Sequence, residues 1–242
     1  MRKNDAPDAA AHLAVHSMIE RLSKDFELGR ELKPELRESL LAGESVYDHE
    51  LDVVLPPRYR ALSELHWSPL EVARKIAELL KPTPKARFID IGSGCGKLCL
   101  LLAMLTDLEI SGIEQREDLH RVAVDLCEAN IPGRVRLIHG NMLSLDWSKY
   151  DVFYLYNPFH EHFFGKLGEI LPIDRAIPLS RRSFAQYVDE VFRQLVLLRP
   201  GQRVITFHGY GGKMPPSMKF IESHKIENGT LQLWEKSATA AP

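Results

Sequence analysis

The sequence predicts one doubly wound α/β domain with a mostly parallel sheet, and three observations lead to this fold class. Short apolar runs of strand character alternate with segments of helical periodicity over residues 88–207. A glycine-rich turn at residues 92–96 separates the first of these runs from the first helix. The last two runs are joined by Asn228-Gly229, a strong hairpin signal. Strands separated by helices pair in parallel, so only the closing hairpin should contribute antiparallel strands.

The chain before the sheet is predicted to form a helical extension. Apolar residues recur at helical spacing from Val15 to Phe26, and Pro34 can begin a second helix. Residues 44–67 show no clear period and are expected to be an irregular lid segment. Ser68-Pro69-Leu70-Glu71 then predicts a helix start that is capped by Ser68. We therefore divide the chain into an extension with its lid, residues 1–67, and a ligand-binding domain, residues 68–242.

The strand and helix signals of the second part follow in regular order. An apolar helix is expected from Lys97 to about Thr106, and an amphipathic one from Phe184 to Val196. The predicted strands are residues 88–91, 109–113, 134–138, 151–156 and 203–207, followed by a terminal pair at 217–225 and 230–235. Residues 157–181 contain three prolines and are expected to form a long connection.

Composition excludes several classes of protein. The formal net charge is -2, so no global basic field recruits nucleic acid, although an acceptor of that kind stays open. The three cysteines are too few and too scattered for a disulfide framework or a zinc site. No apolar leader and no membrane span is evident, which favours a cytoplasmic protein.

The motif His160-Glu161-His162 does not predict a metal site. Two histidines at i and i+2 point apart on a helix, and no third ligand is evident. A solvent-facing cluster is the expected arrangement, with proton transfer by His160 or Glu161 as the alternative.

The spacing of the glycine turn narrows the class of ligand. A dinucleotide fingerprint places a third glycine where this chain has Lys97, and no phosphate-binding P-loop motif occurs. Asp90, at the end of the first strand, would oppose a diphosphate and suits a cationic ligand. The turn therefore disfavours a diphosphate and favours a cationic ligand.

Polar residues follow the predicted strands at the edge where open α/β sheets bind ligands. Glu114 ends the second strand, about twenty residues after the glycine turn, as expected for a carboxylate that holds both ribose hydroxyls. Asn141-Met142 follows the third strand, where an amide can reach adenine and a methionine can pack on its ring. Asn157-Pro158-Phe159 ends the fourth strand.

Together these motifs resemble those of the class I S-adenosylmethionine (SAM)-dependent methyltransferases. The similar segments, within residues 69–236, are FIDIGSGCG, GIEQ, HGNML, YDVFYLYNPF and LLRPGQRVITF. The resemblance implies a Rossmann-like, seven-stranded sheet and a SAM-binding methyltransferase domain over residues 68–242. It assigns the cofactor-binding residues as follows: Asp90, Gly92 and Gly94 to the methionyl part, Glu114 to the ribose, Asn141 and Met142 to the adenine. The family more often has aspartate where Asn141 stands.

The segment after the fourth strand resembles two variants of the family. Asn157-Pro158-Phe159 is similar to the [ND]-P-P-[YF] motif of enzymes that methylate adenine or glutamine amides, but has one proline fewer. Together with the glycine turn and the segment GNMLSLDW, it is also similar to the disruptor-of-telomeric-silencing type of lysine methyltransferase. That resemblance implies transfer to an amine nitrogen, with a protein as one candidate acceptor, although the chain has no lysine-rich tail for a nucleosome.

The resemblance also implies roles at the acceptor side. We expect Asn157 to orient the acceptor, and Tyr156 and Phe159 to form the walls of its slot. Aromatic and polar residues of the lid segment are candidates for the mouth of the pocket: Tyr47, Tyr59, Glu64, His66 and Trp67.

The sequence leaves other functions open. The acceptor is unknown and could be a nucleic acid or a small molecule, and a non-catalytic SAM-binding subunit is a further alternative. An NAD(P)-dependent oxidoreductase is disfavoured by Lys97. The oligomeric state is also unknown.

Overall fold

The computed structural model describes residues 31–83, 85–159, 161–162, 177–178, 180–227 and 229–238. The predicted helix between Val15 and Phe26, and most of the connection at 157–181, lie outside these residues. No helix in the described part is long and apolar enough to cross a membrane.

A single seven-stranded sheet organises the domain, in the order β3-β2-β1-β4-β5-β7-β6. The strands are β1 (Arg87–Ile91), β2 (Glu109–Glu114), β3 (Val135–His139), β4 (Val152–Tyr156), β5 (Arg203–Phe207), β6 (Met218–Ile226) and β7 (Gly229–Lys236). The first five strands pair in parallel, while β7 runs antiparallel to both β5 and β6. The predicted fold class and closing hairpin are confirmed.

Helices cover both faces of this sheet. They are α1 (Pro34–Leu41), α2 (Asp48–Leu51), α3 (Pro57–Arg60), α4 (Ser63–His66), α5 (Leu70–Leu80), α6 (Lys97–Leu105), α7 (Glu117–Asn130) and α8 (Arg181–Leu197). Because their apolar faces are buried, α5, α6 and α7 form one core with one face of the sheet, and α8 forms the second core with the other face. Parallel pairing places the carboxyl ends of β1 to β5 at one edge, where the candidate site lies.

The start of α5 differs from the sequence prediction. Ser68 does not cap this helix, because its hydroxyl lies 2.8 Å from the buried hydroxyl of Tyr154. The first helical amide, that of Leu70, instead donates to the carboxylate of Asp48 at 2.9 Å. A distant aspartate thus supplies the cap, which a local capping pattern cannot reveal.

The lid segment is fixed to the sheet domain by a buried ion-pair cluster. Lys97, the first residue of α6, has a side chain that is only 6% exposed, and its ammonium lies 2.5 Å from Asp48 and 2.7 Å from Asp52. The same ammonium also approaches the Ser63 hydroxyl at 3.4 Å. The residue that departs from the dinucleotide pattern is therefore an anchor for residues 44–67.

Candidate functional site

A cavity of about 610 Å³ opens at the carboxyl ends of the strands. Its size is within the usual range for small-molecule and cofactor sites. Residues from five strand ends, the lid segment and α8 line it, among them Gly92, Gly94, Glu114, Gln115, Arg116, Met142, Tyr156, Asn157, Phe159, Glu161, Tyr187 and His208. The topology therefore brings most of the sequence-predicted residues to one space.

The glycine turn is tight and its amides are already bonded within the protein. Gly92 and Gly94 have φ values of 82° and 54°, in the left-handed region that favours glycine. The amides of Gly92 and Ser93 donate to the Ile113 carbonyl at 2.9 and 3.0 Å, and the Gly94 amide donates to Glu114 at 3.0 Å. These three amides are consequently not available to a phosphate group.

Trp67 of the lid segment closes one side of this turn. A side chain at Gly94 would bring its Cβ within 2.6 Å of the Trp67 ring, so only glycine fits there. The indole N–H donates to the Tyr59 carbonyl at 2.8 Å, which holds the ring in place. Of the five residues expected at the mouth, Glu64, His66 and Trp67 line the cavity, whereas Tyr59 is buried behind Trp67 and Tyr47 is 65% exposed.

Glu114 lies at the floor of the cavity with its carboxylate held by the backbone. One oxygen accepts the Gly94 amide and the other accepts the Arg116 amide at 2.8 Å. Burial raises the pKa of this carboxyl, while the amide and the charge of Arg116 oppose the shift. The carboxylate is thus positioned before any ligand arrives.

Asp90 lies in a small chamber beside the main cavity rather than in the cavity itself. The chamber has a volume of about 30 Å³ and shares Gly92, His66, Trp67 and Tyr156 with the cavity. Burial, together with the negative charge of Glu114, raises the pKa of Asp90 to about 7. A cationic group beside Asp90 would reverse this shift, because it favours the ionised carboxylate.

Asn141 does not line the cavity, which differs from the expected direct contact with adenine. Its amide nitrogen donates to Gln115 at 3.0 Å and to the Tyr187 hydroxyl at 2.6 Å, and its carbonyl oxygen accepts the Leu143 amide. The side chain is therefore fully engaged, and Gln115 and Met142 face the cavity in front of it. Sequence reasoning assigned no role to Gln115, although it ends the GIEQ segment, and missed Tyr187 because this residue lies in a distant helix outside the motifs.

Two aromatic pairs flank Asn157 at the other side of the cavity. Tyr156 stacks against His208 with ring centroids 5.8 Å apart, and Phe159 stacks against Tyr187 at 4.9 Å. Asn157 has a φ of 39°, and its amide donates to the Gly209 carbonyl at 3.0 Å. Among the described residues, no hydrogen bond engages the Asn157 side chain.

Glu161 and His162 are not the solvent-facing cluster that the sequence suggested. The Glu161 side chain is 13% exposed and forms an ion pair of 2.9 Å with Arg116, and His162 is 5% exposed. His160 lies outside the described residues. The turn after β4 folds back over the cavity, which no local pattern indicates.

Comparison with solved structures finds proteins of the same fold. An RNA methyltransferase from Salinibacter ruber, solved with S-adenosyl-L-homocysteine, superposes with a TM-score of 0.51 at 21% identity, over 72% of this chain and 95% of that chain. The fold is that of class I methyltransferases. TrmN from Thermus thermophilus gives 0.51 at 16% identity over 70% of this chain, which spans about half, 49%, of that protein. Escherichia coli yhhF gives 0.50 at 14% identity, over 70% and 88% of the two chains.

Sequence comparison gives no family assignment. No protein-family model matches the chain, and no curated protein matches it in sequence. The similarity to the lysine methyltransferases thus stays at the level of motifs.

Proposed function

We propose that this protein is a SAM-dependent methyltransferase that transfers the methyl group to an amine nitrogen. The observation that carries the proposal is a glycine turn with internally bonded amides between two buried carboxylates, Asp90 and Glu114. The amides of Gly92, Ser93 and Gly94 are bonded within the protein and cannot contact a pyrophosphate, and an ionised Asp90 beside them would repel it. A nucleoside with a cationic tail and no phosphate fits both features.

The residues around the cavity fit the three parts of SAM. Glu114 would accept hydrogen bonds from the ribose hydroxyls, and Met142 would pack against the adenine ring. Gln115, oriented by Asn141 and Tyr187, offers polar atoms to the adenine edge in place of Asn141. Asp90, with Gly92 and Gly94, would hold the methionyl end.

Asn157 is the proposed acceptor-orienting residue. SAM, when bound, supplies a methyl group activated by its sulfonium sulfur. Transfer is an in-line displacement, so the protein's main contribution is to place the acceptor nitrogen behind that methyl group and to exclude water. Once the ammonium form of the acceptor has lost a proton to solvent, an amide oxygen at Asn157 can accept an N–H of the neutral amine and point the nitrogen lone pair at the carbon.

The walls of the cavity favour an amine over a hydroxyl or an anion. Tyr156 and Phe159 present ring surfaces beside Asn157, and aromatic faces attract ammonium groups. Glu64 also lines the cavity, which increases its affinity for a cationic acceptor, whereas the charge of Glu161 is compensated by Arg116. The motif similarity to lysine methyltransferases supports a protein amine, while the Salinibacter ruber neighbour is described as acting on RNA.

Transfer of a radiolabelled methyl group from SAM to fractionated cell lysate tests this proposal. The expected result is label in one fraction with wild-type protein and little label with Asn157→Ala. Protease-sensitive label identifies a protein acceptor, nuclease-sensitive label identifies RNA or DNA, and label in the small-molecule fraction identifies a metabolite. Absence of label with SAM still bound would contradict catalysis and favour a non-catalytic SAM-binding subunit.

A further inference from the structure

Arg116 and Glu161 form a buried ion pair that the cofactor assignment does not use. Arg116 immediately precedes α7, and its side chain is 5% exposed. Glu161 belongs to the turn after β4, and the two side chains meet at 2.9 Å. Both residues line the cavity.

The position of the pair in the sheet gives it a geometrical role. Strands β2 and β4 both pair with β1, on its two sides. A link from the end of β2 to the turn after β4 therefore crosses over the carboxyl end of β1, where the glycine turn begins. Neighbouring strands lie about 4.8 Å apart, so the pair spans roughly two strand spacings.

Arg116 connects the cofactor side of the cavity to the acceptor side through two different groups. Its backbone amide donates to Glu114 at 2.8 Å, and its guanidinium holds Glu161. In the same turn, the His162 amide donates to the Phe159 carbonyl at 3.0 Å. A displacement of Glu161 would therefore move Phe159, and with it the wall next to Asn157.

Stability alone does not account for such a pair. Removing two charges from water costs about as much free energy as their attraction returns, and well-packed apolar residues of similar volume often stabilise a fold equally or better. Breaking the pair by removing one partner is different, because it leaves a buried charge uncompensated. The pair is therefore better explained by the geometry that it imposes than by the stability that it adds.

We propose that Arg116 and Glu161 are positioning residues, whose ion pair fixes the turn after β4 so that Asn157 and Phe159 face the methyl group. This inference rests on the proposed function. Neither side chain touches the reacting atoms; the pair acts through the turn. Its loss should lower kcat while leaving the affinity for the cofactor nearly unchanged.

The double substitution Arg116→Met with Glu161→Met separates positioning from packing, because it removes both charges together. We expect a Tm equal to or above that of the wild type, a Kd for S-adenosyl-L-homocysteine within about threefold, and a kcat at least tenfold lower. Amide hydrogen exchange over residues 157–162 should be at least tenfold faster in the double variant. Glu161→Gln, which keeps the side-chain volume and a polar oxygen beside Arg116, should retain more activity than the double variant.

Several outcomes would overturn the inference. Wild-type kcat and wild-type exchange in a folded double variant would show that the pair only packs. A large loss of S-adenosyl-L-homocysteine affinity with unchanged exchange would assign the pair to cofactor binding. Hydrogen exchange does not depend on catalysis, so it tests the pair even if the wild-type protein transfers no methyl group, a result that would refute the proposed function separately.

Discussion

The two sides of the cavity are built in different ways. On the cofactor side, both carboxylate oxygens of Glu114 accept backbone amides, at 3.0 and 2.8 Å. On the acceptor side, Asn157 and His208 adopt left-handed φ values of 39° and 59°, which are uncommon for residues other than glycine. Within the described chain, the Asn157 side chain also has no hydrogen bond.

This difference indicates what each side requires of a ligand. On the cofactor side the Glu114 carboxylate is held by two amides before binding, so a ligand that bonds it gains affinity without having to order that side chain. The acceptor side has two left-handed residues and a half-buried amide without a protein partner among the described residues, and residues of this kind often occur where a substrate completes the structure. Five predictions test this contrast, beginning with the largest expected effect.

Lys97→Met should release the lid segment from the cofactor side. It leaves Asp48 and Asp52 without the cation that they enclose, and removal of one partner from a buried ion-pair cluster costs on the order of 3 kcal/mol of unfolding free energy. Urea denaturation measures this loss. Lys149→Met is the matched control, because the Lys149 side chain is 64% exposed and its ion pair with Asp146 should contribute little. Equal stability of the two variants would show that Lys97 is not an anchor.

Glu114→Ala should weaken SAM binding by at least about 100-fold while the protein remains folded. The substitution removes a charged acceptor for two ribose hydroxyls, and each such hydrogen bond contributes about 1.5–3 kcal/mol. Isothermal titration calorimetry measures the affinity, and circular dichroism confirms the fold. Glu117→Ala serves as control, since the Glu117 side chain is 72% exposed at the start of the next helix. Unchanged binding by Glu114→Ala would overturn the assignment of the pocket.

The sequence predicted the cofactor side better than the acceptor side for a physical reason. Asp90, Gly92 and Glu114 are placed by their own strands, so local patterns suffice to locate them at the sheet edge. The capping of Leu70 by Asp48 joins residues far apart in the chain. Such contacts depend on tertiary packing, and no spacing rule reveals them.

The same reason explains the two residues whose contacts in the structure differ most from the sequence prediction, Asn141 and Glu161. Asn141 follows the third strand as expected, but its amide is occupied by Gln115 and by Tyr187 of a distant helix. Glu161 was expected in a solvent-facing cluster, yet it is buried against Arg116, which follows β2 on the other side of β1. The sequence shows which residues end each strand but not which of them pair across the edge.

Comparison of Asn157→Ala with Asn157→Gly separates the role of the Asn157 amide in positioning the acceptor from the strain of its left-handed backbone. Both should lower kcat about 10- to 100-fold and leave SAM affinity within about threefold, because positioning of the acceptor is lost. Glycine tolerates the left-handed φ, whereas alanine pays on the order of 1 kcal/mol for it, so only the alanine variant should lose a few degrees of Tm. Full activity in the glycine variant would remove the role assigned to Asn157.

Titration of Asp90 should have a smaller, pH-dependent effect on the affinity for SAM. With a pKa of about 7, this carboxyl is mostly neutral at pH 6 and mostly ionised at pH 8. Because only the ionised form attracts the cationic methionyl group, SAM affinity should rise up to about tenfold over this interval. Asp90→Asn should bind SAM more weakly and show a flatter profile.

The same shift predicts a change in stability of the opposite sign. A folded-state pKa above the unfolded value means that the contribution of Asp90 to stability is lost as pH rises from about 4 to 7. The unliganded Asp90→Asn variant should therefore have a higher Tm than the wild type at pH 8, with little difference at pH 4. A higher wild-type Tm at pH 8 would show that Asp90 has a stabilising partner.

Calorimetric titration of the wild-type protein with S-adenosyl-L-homocysteine, alongside a titration with NAD⁺, tests the central claim most directly. We predict one binding site for S-adenosyl-L-homocysteine and no response to NAD⁺ at pH 8, because the amides of Gly92, Ser93 and Gly94 are occupied and the ionised Asp90 carboxylate opposes a pyrophosphate. Binding of NAD⁺ at this site, or no binding of S-adenosyl-L-homocysteine, would contradict it.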